Sequence, residues 1–258
     1  ELEELKMILP RMATLAADGY AINPASPEKM RAKANMKLTT GNLSFVNAMM
    51  QPSIRKKIRI PRMTLEGTLN AEGQRYGADL TLREGRGQMK LKGQIDLPTE
   101  AYAADIDVKG LDIRHFMPRD SMKTLSAALT VKGRGYDILS PHTRLDAKAT
   151  LKQFGYGYLN IDNLKAKAKI AGGMAHATVE SENALADGTI AFDALMSTKR
   201  LQATLSTDLR WIDMQLLRVS EKPLAASMCA HIDIASNLKS DHKLQALLND
   251  FTVRTEKK

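Results

Sequence analysis

At 258 residues, with 43% hydrophobic and 26% charged side chains, the chain has the make-up of a folded, water-facing protein. Its length suits one large β domain or two average domains. Aromatic residues are only 5%, so bulky rings cannot dominate a core, and the single cysteine, Cys229, excludes an intrachain disulfide or a paired-thiol metal site. The net charge of +9 favours anionic surfaces, whether phospholipid headgroups, acidic polysaccharide or nucleic acid.

In chain order, the first stretch predicts a short helix. Leu2, Leu5, Ile8, Leu9, Met12 and Leu15 recur at helical spacing as one apolar stripe, with Pro10 as a kink or new first turn and Asp18-Gly19 as the end. Asn23-Pro24 through Ser26-Pro27 is a rigid linker by composition. Residues 1–27 are therefore expected to be a helix and linker, followed by one elongated β domain over 28–258.

From Arg31 the period changes to two. Ala32, Ala34, Met36 and Leu38 alternate with polar residues, and the rhythm returns in Leu65–Leu69 and Ala78–Leu82. Successive side chains on a strand point oppositely, so strict alternation gives one dry and one wet face. Before these two runs lies a dense basic cluster, Arg55, Lys56, Lys57, Arg59 and Arg62. It lacks interleaved aromatics and any glycine-rich RNA-binding signature, so nucleic acid is not an expected partner. It reads as a solvated basic edge strand and turn and as a candidate contact for an anionic surface.

Next come Met89, Leu91 and Ile95 in one run and Ala104, Ile106 and Val108 in another, then Leu125–Val131. Leu145, Ala147, Ala149 and Leu151 alternate with polar residues, as do Leu164, Ala166, Ala168 and Ile170 with Lys165, Lys167 and Lys169. The last strands are His176–Glu180, then one with Ile190 and Phe192, one with Leu201, Ala203 and Leu205, and Met228–Ile234. Glu84–Gly87, Ala171–Gly173 and Asp187-Gly188 read as hairpin turns, which makes most pairing antiparallel. The segment 87–133 recurs at 188–234, first at an offset of 101, as strand, turn, strand, helical turn at Leu111-Asp112 or Ile212-Asp213, then strand. Such recurrence points to an elongated stack of modules.

Chemistry-bearing motifs are few. No two histidines stand at a metal-binding spacing, and there is no nucleophile elbow and no phosphate loop. Asp105 and Asp107 share a strand face, with Lys90 and Lys92 as expected cross-strand partners. The expectation is of a non-enzyme without cofactor or metal. The dry face is more informative, because alanine holds many positions where Val or Ile would be favoured. The volume left must be filled by a facing layer of protein or by a ligand with long, featureless apolar parts. An outer-membrane barrel would need strands of about 9–11 residues and aromatic girdles, which 5% aromatics disfavour.

The run Gly110–Gly133 (GLDIRHFMPRDSMKTLSAALTVKG), with Tyr76–Leu82 (YGADLTL), Gly93–Leu97 (GQIDL) and Phe192–Met196 (FDALM), resembles the repeat of TamB-like proteins of the Bacteroidetes type. These are inner-membrane components of the translocation and assembly module within the AsmA-like superfamily. The resemblance runs from about Arg31 to the C-terminus. It implies a long, curled, trough-like or taco-like sheet in the periplasm, anchored to the inner membrane by a segment absent here. The trough would conduct phospholipid between the membranes, and an outer-membrane β-barrel assembly factor would dock through regions also absent. The alanine-rich dry-face positions named above would line the groove. The competing expectation is a chaperone-like scaffold for outer-membrane barrel assembly, with the dry face sealed by its own packing.

Overall fold

The computed structural model describes residues 2–41, 43, 58–118 and 120–255. Strand accounts for 69% of the chain and helix for 3%. Sixteen strands form one antiparallel sheet that does not close into a barrel. They are β1 (Leu2–Leu9), β2 (Ala13–Ile22), β3 (Arg31–Thr40), β4 (Thr64–Glu72), β5 (Arg75–Glu84), β6 (Gly87–Asp96), β7 (Ala101–Asp112) and β8 (Met122–Arg134). The second half holds β9 (Arg144–Tyr156), β10 (Leu159–Ile161), β11 (Leu164–Ala171), β12 (Met174–Glu182), β13 (Ala186–Met196), β14 (Leu201–Asp213), β15 (Ala225–Ser236) and β16 (His242–Arg254). Neighbours in the sheet follow chain order, except that β11 pairs with β9 while β10 forms a short side pair on β9. The chain divides into two compact units, Glu1–Thr130 with Gln153–Tyr158, and Val131–Lys152 with Leu159–Lys258.

The expected N-terminal helix is absent: its residues form β1 and β2. Pro10 is a turn residue, with Arg11 at φ 63° after it and the Met12 amide donating to the Leu9 carbonyl at 2.9 Å. Proline first and positive φ second is the type II pattern. The register of β1 on β2 shifts between Leu2 and Leu5, and this bulge gives the strand a three-residue step that mimics helical spacing. The linker contains a turn closed by the Ser26 amide donating to the Asn23 carbonyl at 3.0 Å, then a 3-10 turn, Pro27–Lys29.

Two of the expected turns are hairpins. Gly85 has φ 55° between β5 and β6, and Gly172 and Gly173 have φ 62° and 77° between β11 and β12. Asp187-Gly188, by contrast, is a bulge inside β13, where the register on β14 shifts. Glycine is required there because an added Cβ would lie 2.2 Å from the Asp208 carbonyl oxygen. Of the basic cluster, Arg55, Lys56 and Lys57 lie outside the described residues. Arg59 and Arg62 stand in an irregular segment leading into β4, not in a strand.

The two aspartates aligned by the recurrence perform the same local task. Asp112 accepts from the Arg114 amide at 3.1 Å and starts a 3-10 turn, Ile113–His115. Asp213 accepts from the Gln215 and Leu216 amides at 3.0 and 2.8 Å and starts the turn after β14. An Asx side chain bonding the backbone two residues on is what ends a strand in a tight turn.

Candidate functional site: an uncovered apolar sheet face

Register converts the alternation into rows. In the first unit, Leu15, Leu38, Leu65, Leu82, Met89 and Val108 oppose one another strand by strand, and so do Ala17, Met36, Gly67, Leu80, Leu91 and Ile106. Ala104 closes a third row through Gly93, Ala78 and Leu69, while Ile95 sits between Tyr76 and Tyr102 in a fourth. All six positions expected to line a groove in this unit therefore belong to one alternating set.

The second unit repeats the arrangement. One row runs Leu145, Ile170, Ala175, Ala194, Ala203, Ile234 and Leu244, and the next runs Ala147, Ala168, Ala177, Phe192, Leu205, Ile232 and Ala246. A third runs Ala149, Ala166, Val179, Ile190, Thr207, Ala230 and Leu248. Leu151 and Leu164 begin a fourth that reaches Leu209, Met228 and Phe251, and Leu201 opposes Met196. The residues between these rows are mostly polar, with Ala191 and Leu247 as exceptions, and Lys165, Lys167 and Lys169 are all exposed.

The polar face is tied by cross-strand pairs. Lys37 and Arg83 both reach Glu66, Asn35 donates to Asp18 at 2.7 Å, and Thr68 donates to Asn35 at 3.0 Å. Lys90 and Lys92 oppose Asp107 and Asp105 in register, although the hydrogen bond to Asp105 comes from Thr130 at 2.8 Å and the ion pair of Asp107 is with Lys109 at 3.2 Å. In the second unit His176 Nδ1 is 2.6 Å from Asp193, and Thr204 donates to Asp233 at 2.8 Å. Hydrogen bonds from Arg83, Arg75 and Arg114 hold the carboxyls of Glu66, Asp96 and Asp112 below the usual carboxylate range. Each of these shifts comes from an arginine on the water-facing side. Among the described residues, no group of three or more His, Cys, Asp or Glu is placed to hold a metal ion.

The apolar face has no second layer among the described residues. The core of a layered domain buries large side chains completely, yet here none is fully buried. The most buried residues of the rows in the second unit are small, Ala194 at 7% and Ala203 at 6%. Exposure rises toward the β16 edge, where Leu244 is 70% and Phe251 55% exposed. One polar atom interrupts the apolar rows as an orphan: Thr207 Oγ1 is buried without a hydrogen-bond partner.

A recess of about 1480 Å³ crosses β11 to β16. It borders mostly the other alternating set, including Lys169, His176, Asp193 and Asp233, together with Met174 and Leu195. Of the expected lining positions only Ala203 touches it. It also borders Ala175, Ala194, Ile234 and Leu244, so it shares five residues with the first apolar row of this unit. A smaller recess of about 340 Å³ is lined by Arg59, Arg62, Arg114 and His115, with Glu84 held 2.6 Å from His115 Nδ1. It places Arg59 and Arg62 beside two more basic groups that sequence spacing did not connect to them.

The sequence reading missed β16 and with it Leu244, Leu248 and Phe251 as continuations of the rows. It also left out Leu38, Leu65 and Leu82, although their alternation was visible. No helix among the described residues is long and apolar enough to cross a membrane. The chain matches no family model, no curated protein and no solved structure.

Proposed function

We propose that the apolar sheet face binds acyl chains and that the protein is a lipid-conducting segment, as the resemblance to TamB-like proteins implies, and not an enzyme. The observation that carries this reading is the combination of apolar rows running strand after strand with the lack, among the described residues, of any fully buried large side chain. An apolar face of this extent left open to water is unfavourable at about 25 cal/mol per Å², and large exposed apolar patches mark partner, ligand or membrane sites. Small residues at Ala147, Ala149, Ala166 and Ala168 leave depth over the face, and acyl chains need no directed hydrogen bonds from such a wall. Arg59 and Arg62, beside an Arg114 already paired with Asp112, offer cationic groups for anionic headgroups. In this reading the sheet curls into a trough in the periplasm, the full-length protein is anchored to the inner membrane, and a barrel assembly factor docks elsewhere.

A photo-crosslinking amino acid tests the face directly. Placed at Ala166 and irradiated with vesicles of mixed phosphatidylethanolamine and phosphatidylglycerol, it should capture phospholipid, while the same group at Lys167 should capture little. Equal labelling at both positions, or none at Ala166, overturns the lipid reading and leaves the scaffold for barrel assembly as the alternative.

A further inference from the structure

Three connections lie at one end of the strands of the second unit. The loop 135–143 joins β8 to β9, residues 172–173 join β11 to β12, and residues 197–200 join β13 to β14. Register places their flanks side by side: Arg144 opposes Ala171, Ala171 opposes Met174, and Met174 opposes Leu195. This row belongs to the wet side of the sheet, yet Met174 is 61% and Leu195 53% exposed. In the loop, Tyr136 and Ile138 are each 55% exposed. The loop meets its polar groups internally. Asp137 accepts from the Leu139 amide at 3.0 Å, and the Asp137 carbonyl accepts from the Ser140 amide at 3.0 Å and from the buried Thr143 hydroxyl. At the other end of the same strands the β12–β13 turn, residues 183–185, buries its Leu185 and has no lysine or arginine.

Cations collect at the first end. Arg144, Lys169, Lys199 and Arg200 are all exposed, and none forms an ion pair among the described residues. Ser197 Oγ holds the last two in place, accepting from the Lys199 and Arg200 amides at 3.4 and 3.1 Å. Of the acidic neighbours, Asp193 is engaged by His176 at 2.6 Å, Asp137 by its own loop, and Asp146 lies opposite Lys169. We propose that this end of the second unit docks on the surface of an anionic bilayer. Tyr136, Ile138, Met174 and Leu195 enter the boundary between headgroups and acyl chains, and Arg144, Lys199 and Arg200 lie over the phosphates. Exposed apolar side chains set among cations bind a membrane interface by apolar burial and by attraction to anionic lipid together. Tyrosine, apolar in body and polar at its tip, suits that depth. A water-soluble polyanion would use the cations and leave the four apolar side chains without a role. The proposal concerns where the protein touches a membrane and does not require acyl chains to lie along the apolar rows.

The single tryptophan makes the test directional, because Trp211 opposes Asp187, away from the docking end. The full chain should float with phosphatidylcholine vesicles that contain phosphatidylglycerol, and should stay behind with pure phosphatidylcholine. Lys199→Glu with Arg200→Glu should weaken flotation about tenfold or more, and added salt should also weaken it. Ile138→Ser with Met174→Ser should weaken it at an unchanged thermal midpoint, since both side chains are already exposed. In a Trp211→Phe background, Leu195→Trp should shift its emission to the blue on the vesicles and be quenched by brominated lipid. Trp211 of the wild-type chain should not be quenched. No flotation, equal flotation with both vesicles, indifference to the charge reversals, or equal quenching of Trp211 would each overturn the proposal. So would retention on heparin without vesicle binding, the mark of a water-soluble polyanion. Ala166→Asp on the apolar face should float as the wild type does, which separates this outcome from that of the acyl-chain reading. Loss of flotation in Ala166→Asp would mean that the apolar face holds the vesicle, and would overturn docking by this end.

Discussion

At the scale of single residues, alternation fixes direction and little else. The row positions are occupied by whatever fits a half-exposed pleat, and that includes Thr207 between Ile190 and Ala230. Its hydroxyl has lost water and gained no partner, a state that costs about 1–3 kcal/mol. Valine has the same branched shape without the oxygen. Thr207→Val should raise stability by about 1 kcal/mol in urea unfolding at an unchanged m-value. A loss of stability would mean that the hydroxyl is satisfied in solution. The charged residues behave differently. Glu66, Asp96 and Asp112 have lowered carboxyl pKa values because arginines donate to them, yet each pair lies in water. The Glu66 and Asp96 pairs set cross-strand order, and the Asp112 pair holds a turn, more than any of them adds stability.

At the scale of elements, most strands were legible because nothing interrupts their period of two. β3 to β9 and β11 to β15 were all visible in outline, and Lys90 and Lys92, expected across from Asp105 and Asp107 with no register assigned, oppose Asp107 and Asp105 respectively. All but one of the failures trace to a bulge. In β1 the bulge between Leu2 and Leu5 inserts a three-residue step, and Ile8 follows on the polar side, so apolar spacing imitates a helix. In β16 the pair Leu247-Leu248 and the bulge at Asn249 hide the strand altogether. Asp187-Gly188 has turn chemistry but sits where a backbone approaches closely, and bulge and turn use the same residues. β10 has three residues, too few to show any period. The bulge in β16 also carries a prediction. It returns Phe251 and Val253 to the apolar rows opposite Met228 and Ala226. Deleting Asn249 removes the extra residue and leaves Leu248 and Asp250 as consecutive partners of Ala230 and Cys229, so Phe251 and Val253 should keep their face. Amide protection from Asp250 to Arg254 should be kept, with a stability change within about 1 kcal/mol. Quickened exchange in that segment would mean the bulge itself is needed to hold it.

At the scale of the whole molecule, the sheet's apolar rows meet no second layer among the described residues, and this is what the sequence could not reveal. Alternation is the same whether the dry face meets protein, lipid or water. The two cases differ in how the folded chain responds to a charge and to an amphiphile. On a covered face, Ala166→Asp buries an unpaired carboxylate and should destabilise by several kcal/mol. On an open one, water reaches the new group, and the cost should stay within about 1 kcal/mol, the usual span of strand preferences. A ligand that binds only the folded state raises stability by about 2.7 kcal/mol at one hundred times its dissociation constant. Monomeric lysophospholipid below its micelle concentration should therefore raise the thermal midpoint of the wild-type chain. It should raise that of Ala166→Asp much less, because the carboxylate repels the lipid phosphate and keeps the third row wet. The unliganded midpoints of the two proteins should lie within a few degrees of each other. A variant that is unfolded at room temperature would show that Ala166 is covered, and a wild-type midpoint indifferent to the amphiphile would show that acyl chains are not what the face holds.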